Sequence, residues 1–334
     1  MNIKRDVNLA GMTTIKLGGP AKYFLEVKSS DGLREALRWA KDEEVRIHVL
    51  GGGSNTIFQD KGFDGLVIKM GLRGMEFEGE LVTAAAGENW DSLVEEAVGR
   101  GWAGVECLSG IPGLVGATPM QNVGAYGQEV AQTIVAVKAL NRETLEERVF
   151  TNKECDFKYR SSRFKHEDID KYVIAEVVYK LEKDGKPNLS YPQVREVVKD
   201  GVSLLEVREV VLGLRRKKSM VIDESDINSR SCGSFFVNPP HPGPLLGKGE
   251  GENIPTFVDS DSGEERIPAA WLIEQVGFSK GYREGGEGIS QNHNLALINI
   301  DGTSRELMAL ADKIKAAVKE KFGIDLAREP VLVD

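Results

Sequence analysis

The stretch LGGGSNTIF at 50–58 restricts the possible folds more than any other. Val45, Ile47 and Val49 alternate as a strand, three glycines and a small polar pair follow, and TIF and GLVIKM then read as further strand. The successive backbone N–H groups of Gly51, Gly52, Gly53, Ser54 and Asn55 can crowd around an anion. The stretch is no P-loop, because the Gly-Lys-Ser/Thr end is missing. It is not the dinucleotide fingerprint either, because no helix follows to aim its N-terminus at a phosphate. For these five residues alone, a tight hairpin is the alternative.

Around this loop the first half mixes helix and strand. Leu33, Ala36, Leu37 and Ala40 mark one helix face, and Leu93, Val94, Ala97 and Val98 a second, in a helix that begins near Trp90 and stops at Gly101. TIVAVKAL and YVIAEVVYKL read as strands. From about Asp184 the composition turns polar, which suggests a boundary there. A helix is expected around 203–216, ending in the basic run Arg215 to Lys218. The segment from Pro239 onward is rich in Gly and Pro and reads as an exposed insertion. PAAWLIEQVGF predicts a short buried helix and LALINI a strand. The last helix opens with Thr303 and Glu306 at capping-box spacing, buries Leu307, Leu310, Ile314, Ala317 and Val318, and ends at Gly323.

A chain of 334 residues can hold two or three modest domains or one large one. The net charge of −9 speaks against a nucleic-acid partner, while leaving room for an anion held by local arginines. Three scattered cysteines argue against a disulfide framework or zinc site and fit a reducing compartment. The N-terminus MNIKRDVNLAGMTT has no apolar core, so no signal peptide is expected. No run is long and apolar enough for a membrane span, and the cytoplasm is the expected location.

A second glycine-rich loop, GIPGLVGATPMQNVGAYG (110–127), carries Gly113, Gly116 and Gly124 together with Thr118, Gln121 and Asn122. Long ordered loops in compact domains are usually functional. Two such loops in one half of a chain suggest a cofactor with a long, phosphate-bearing body. Tyr159 and Arg160 follow in a third stretch, YRSSRFK, where a solvated cation is the plainer reading for the arginine. In SRSCGSFFVNPP (229–240), Ser234 stands between a glycine and two phenylalanines. With no histidine nearby to activate it, a capped turn serine is its plainer reading.

GGGSN, AAGENW (85–90), IPGLVGATPMQNVGAYG, YRSSRFKH, CGSFFVNP and the terminal REPV occur in an order and spacing that resembles one family, the UDP-N-acetylenolpyruvoylglucosamine reductases. The resemblance runs from TTIKLGGPA to REPVLVD. It implies an α+β fold: a two-lobed FAD-binding domain of the vanillyl-alcohol-oxidase (PCMH) type over 1–184, with lobes of about 1–68 and 69–184, and a C-terminal α+β substrate-binding domain over 185–334. The last residues, about 325–334, would return to the flavin site. The implied cofactors are FAD and NADPH, and the implied substrate is a small molecule, a UDP-sugar. No metal, membrane or protein partner is implied.

The family passes hydride from flavin N5 to C3 of an enolpyruvyl group. By resemblance Ser234 gives the proton to C2, while Arg160 and Glu329 flank the enolate. Arg160 would supply a fixed charge in a fork matched to a carboxylate. Glu329 would help if protonated or if it orients a neighbour. Gly51 to Asn55, Gly113, Gly116, Thr118, Gln121, Asn122 and Gly124 would hold the flavin. Tyr159, Tyr191, Arg215, Lys218, Asn238 and His293 would meet the sugar nucleotide or its channel, Tyr191 marking the family's longer type. A solvated helix end stands as the alternative for Arg216 and Lys217. The insertion at 239–253 departs from the family pattern close to Ser234. The competing expectations are another flavin oxidoreductase of the same superfamily, or a non-catalytic nucleotide-sugar binding protein.

Overall fold

The computed structural model describes residues 1–199, 201–241, 254–259 and 263–334. They form two compact units that alternate along the chain. The first holds Met1–Val7, Ala21–Gly52 and Asp64–Lys217, and the second Asn8–Pro20, Gly53–Phe63 and Lys218–Asp334.

Two larger sheets build most of the first unit. One has the strand order Lys4–Asn8, Pro20–Val27, Phe63–Met70, Ile47–Leu50, the last two running parallel. Helix α1 (Ser30–Asp42) starts where Ser29 Oγ accepts the Gly32 N–H, and buries the expected face of Leu33, Ala36, Leu37 and Ala40. The other sheet is antiparallel throughout, in the order Glu147–Thr151, Ile134–Asn141, Tyr172–Lys180, Leu81–Ala85, Met75–Glu78. Helix α2 (Trp90–Gly99) begins at Asn89, whose side chain accepts the Ser92 N–H, and buries Trp90, Leu93, Val94, Ala97 and Val98. Side chains from both sheets and both helices form one continuous core.

The polar stretch after Asp184 is not where the first unit ends. Helices α3 (Pro192–Arg195) and α4 (Leu204–Lys217) both lie within it. Ser203 and Glu206 cap α4 reciprocally: Ser203 Oγ accepts the Glu206 N–H and Glu206 Oε2 accepts the Ser203 N–H. Val207 and Val211 of α4 bury against Cys107 and Val194, and Arg208 makes a two-pronged ion pair with Asp91 at 2.6 and 2.9 Å. The polar composition at 184–190 therefore marks a surface crossing, not a break in packing.

The second unit is gathered from three stretches of chain. Arg283–Glu284, Glu287–Ile289 and Leu297–Asn299 form an antiparallel sheet. Thr56–Phe58, just beyond the GGGSN loop, pairs in parallel with Val331–Val333. Helix α5 (Ala269–Gln275) and helix α6 (Ser304–Phe322) share a core with Ile15, Ile57, Phe235 and Phe236. Thr303 Oγ1 accepts the Glu306 N–H at the start of α6, and Gly323 closes the helix at φ +70°, a conformation costly for any residue with a Cβ. Asp60 also accepts from the first-turn N–H groups of Ser304 and Arg305, a carboxylate at the positive end of a helix. Of the expected insertion, Pro239 and Pro240 are tied to Ile267 and Arg266, and 242–253 lie outside the described residues. No helix among the described residues is long and apolar enough to cross a membrane, and none of their His, Cys, Asp and Glu side chains form a group of three able to hold a metal ion.

Glu287, on the central strand of the sheet, is fully buried, and its carboxylate oxygens meet no hydrogen-bond partner among the described residues. Burial, followed by the nearby carboxylates of Glu306, Asp60 and Asp301, pushes its carboxyl up to about 8. A carboxyl raised in the folded state binds its proton more tightly there. Its contribution to stability is complete below the unfolded value of roughly 4 and is lost as pH rises towards 8. The unfolding midpoint of the wild type should therefore fall between about pH 5 and pH 8 by more than that of Glu287→Gln, which cannot ionise. Equal slopes for the two proteins in thermal melts would show that Glu287 is not the group responsible.

Candidate active site

In the first unit the two glycine loops meet back to back. A Cβ on Gly52 would stand 2.7 Å from Gly113 Cα, and one on Gly51 would touch Ala117 and Leu114. AAGENW explains how the second loop is held. Trp90 N–H donates to Gly113 O (3.1 Å), Val115 N–H to Glu88 O (2.9 Å), and Gly116 N–H to Ala86 O (3.0 Å). The N–H groups of Gly52, Gly113 and Leu114 donate to no acceptor among the described residues, so three donors lie at the junction of the loops. Thr118 and Asn122 face inward. Thr118 Oγ1 donates to Val115 O or shares a hydrogen bond with Tyr179 OH, both at 2.8 Å. Asn122, at φ +46°, donates to Glu129 Oε2 and Lys158 O and accepts from Ala131 N–H. Gln121 Oε1 accepts from Lys165 Nζ at 3.4 Å.

Tyr159 and Arg160 form the corner of a tight turn closed by two hydrogen bonds between Lys158 and Ser161, at 3.1 and 3.0 Å. Arg160 occupies the left-handed corner at φ +52°, a conformation that side-chain-bearing residues keep only where the surroundings hold them. Its Nη2 donates to Gly124 O at 2.7 Å, its Nη1 stands 3.5 Å from Glu129 Oε1, and its guanidinium lies 4.9 Å from the Tyr159 ring centre. Tyr191, at the start of α3, packs edge-on against Tyr126 at 5.3 Å. Arg215 is buried on α4, where desolvation pushes its guanidinium below the usual value and Tyr126 and Asp91 act the other way. Arg216 and Lys217, in contrast, are exposed.

In the second unit, Ser234 and Glu329 sit on neighbouring backbone segments. Phe236 and Arg328 form an antiparallel bridge, Glu329 N–H donates to Phe235 O (2.9 Å), and Val237 N–H donates to Ala327 O (3.0 Å). Phe235 and Phe236 are fully buried and pack edge-on, anchoring the turn in the core. Gly233 needs its positive φ of +73°, and the space at its Cβ is open. The Ser234 hydroxyl is half-buried and meets no partner among the described residues. Asn55 joins the same region: its Nδ2 donates to Glu329 O (3.4 Å), and its O accepts from Val331 N–H (2.9 Å). Gly53 O accepts from Thr14 N–H, and Thr14 Oγ1 donates to Ser231 O at 2.6 Å, so the loop and the serine turn share one brace. Ser54 lies between Gly53 and Asn55 in this run. Asn238 caps α5, its Oδ1 accepting the Ala269 N–H. Lys218 precedes Ser219, whose Oγ accepts from Asn292 beside His293, so these two sequence-predicted residues fall in one region.

A family model described as FAD binding domain matches residues 21–144, and one described as the C-terminal domain of UDP-N-acetylenolpyruvoylglucosamine reductase matches residues 225–333. A protein of that name from Thermobifida fusca is 43% identical over 357 residues, covering 98% of this chain and 97% of the relative. Another, from Streptomyces avermitilis, is 41% identical over 348 residues, covering 98% and 94%. The chain belongs to the UDP-N-acetylenolpyruvoylglucosamine reductase family. The crystal structure of the Thermus caldophilus reductase matches over 100% of both chains with a TM-score of 0.71 at 25% identity. The fold is thus an FAD-binding domain of the vanillyl-alcohol-oxidase type followed by the C-terminal domain of this reductase family. The glycine junction suits such a cofactor, since backbone donors without acceptors are what a pyrophosphate requires.

Sequence reasoning overlooked Glu129 and Tyr126. Tyr126 lies in GAYG and Glu129 two residues after it, and an acid close to a glycine-rich loop was the available signal. Gly52→Ala should fold but purify with less flavin per protein, because its Cβ pushes against Gly113. Gly99→Ala, with open space at its Cβ, should keep its flavin. The absorbance ratio of flavin to protein decides the matter, and equal ratios in the two variants would remove the junction from the cofactor site.

Proposed function

We propose that this chain reduces UDP-N-acetyl-enolpyruvoylglucosamine to UDP-N-acetylmuramate, with FAD as its bound cofactor and NADPH as the reductant, in cytoplasmic peptidoglycan precursor synthesis. The observation that carries the reading is the serine turn. Ser234 has an uncommitted hydroxyl on a segment bridged to the one bearing Glu329, in a chain whose relatives of that name match it end to end.

Bound flavin would supply hydride at C3 of the enolpyruvyl group, and the chain's own residues manage the charge and the proton that this leaves. Addition at C3 drives negative charge to C2 and the adjacent carboxylate. Arg160 presents a guanidinium already held by Gly124 O and Glu129 and offers a permanent charge to that carboxylate. Ser234 delivers its hydroxyl proton to C2. A weak acid suffices there because the carbanion is a strong base and the donor is in position. Glu329 flanks the enolate from the segment bridged to the serine turn. Tyr191, Arg215, Lys218, Asn238 and His293 receive the sugar nucleotide. Gly51 to Asn55 and the loop carrying Gly113, Gly116, Thr118, Gln121, Asn122 and Gly124 hold the flavin. The three free, buried cysteines fit a reducing compartment.

The test separates the two half-reactions in the absence of oxygen. NADPH should bleach the flavin of the wild type and of Ser234→Ala equally. After excess NADPH is removed, the enolpyruvyl sugar nucleotide should restore the colour about 10²–10⁴-fold more slowly in the variant, the usual span for loss of a general acid. Bleaching without any recovery in the wild type would sink the substrate assignment. Equal recovery in both proteins would sink the role of Ser234.

A further inference from the structure

Glu129 is 9% exposed, on a short strand, Gln128–Glu129, paired antiparallel with Gly124–Ala125. Its carboxylate links three elements of the first unit. Oε2 accepts from Asn122 in the glycine loop, Oε1 faces Arg160 Nη1 at 3.5 Å, and the strand register sets Glu129 opposite Gly124, whose carbonyl takes Arg160 Nη2. The packing allows little slack. A Cβ on Gly124 would stand 2.7 Å from Glu129 Cγ and 3.0 Å from Arg160 Nη1. Gly124 has no positive φ, so this crowding alone calls for glycine there.

A carboxylate beside an arginine that serves an anion weakens the attraction between them, so its benefit has to lie elsewhere. An arginine at the corner of an exposed turn samples many rotamers, and a fork is effective only in a narrow range of angles. Gly124 O holds one arm of the guanidinium by a hydrogen bond, the other faces Glu129 Oε1 in an ion pair at 3.5 Å, and the Tyr159 ring lies against its face. We propose that Glu129 is a positioning residue which, together with the bare backbone of Gly124, aims the Arg160 guanidinium at the substrate carboxylate. The inference rests on the role of Arg160 given above.

Glu129→Gln keeps the shape and the acceptor for Asn122 while removing the charge facing Arg160. Gly124→Ala keeps the charge and displaces the pair. Both variants, Arg160→Ala, and the double variant Glu129→Gln/Arg160→Ala would be compared in three measurements: recovery of flavin colour by the enolpyruvyl sugar nucleotide, unfolding midpoint, and calorimetric affinity for UDP-N-acetylmuramate relative to UDP-N-acetylglucosamine, which lacks the carboxylate. Glu129→Gln and Gly124→Ala should slow recovery by about 10- to 100-fold, the scale of a small misplacement near the reacting atoms. The preference for the carboxylate-bearing nucleotide should shrink as it does in Arg160→Ala. The double variant should be no slower than Arg160→Ala, and in Glu129→Gln the melting point and bleaching by NADPH should hold. Additive effects in the double variant, or recovery at the wild-type rate in Glu129→Gln while Arg160→Ala is slow, would overturn the role of Glu129 and leave that of Arg160 standing. Recovery at the wild-type rate in Arg160→Ala would overturn both.

Discussion

The approach of one glycine backbone to another, Gly52 against Gly113, is the constraint around which the first unit is arranged. A Cβ on Gly52 would stand 2.7 Å from Gly113 Cα, and Gly113 itself has a φ of +128°, so both positions favour glycine. The antiparallel bridge at Asn89 and Leu114 and the shared core of the two sheets bring the two loops together. Once the loops meet, the N–H groups of Gly52, Gly113 and Leu114 have no acceptor among the described residues. Such an arrangement is stable only on a surface, or with an anion to receive the donors.

The second unit relies on the same device in another form. Ser234 and Glu329 are brought together by backbone hydrogen bonds between 235–237 and 327–329, with two buried phenylalanines fixing the depth of the turn. In the role proposed for it, a serine held this way needs no activating histidine, because position substitutes for acidity. Arg160 is treated alike: its left-handed backbone, the carbonyl of Gly124 and the carboxylate of Glu129 each restrict where its guanidinium can lie.

Several residues expected to meet ligands also hold the loops. Thr118 is bonded to Tyr179, Asn122 to Glu129 and Lys158, and Asn238 to the first turn of α5. Polar residues in a glycine-rich loop look alike in sequence whether they face a ligand or each other, since a buried loop must satisfy its own polar groups with the same side chains that bind ligands. Glu129 went unnoticed for the converse reason. An acid after GAYG reads as a surface charge until the fold buries it against an arginine that lies thirty-one positions along the chain.

Local pattern alone determined the helices with a buried face, the strands on either side of GGGSN, the absence of a helix after that loop, and the two glycine-rich loops. Each of these is written in neighbouring residues, by periodicity, capping or bare backbone. The tertiary structure decided what non-local pairing decides. The chain alternates between the two units, α4 belongs with the first rather than beyond a boundary at 184, and Thr56–Phe58 pairs with the last strand. It also decided which way each polar side chain faces. Strand partners and burial depend on residues distant along the chain, and no short window of sequence contains both members of such a pair.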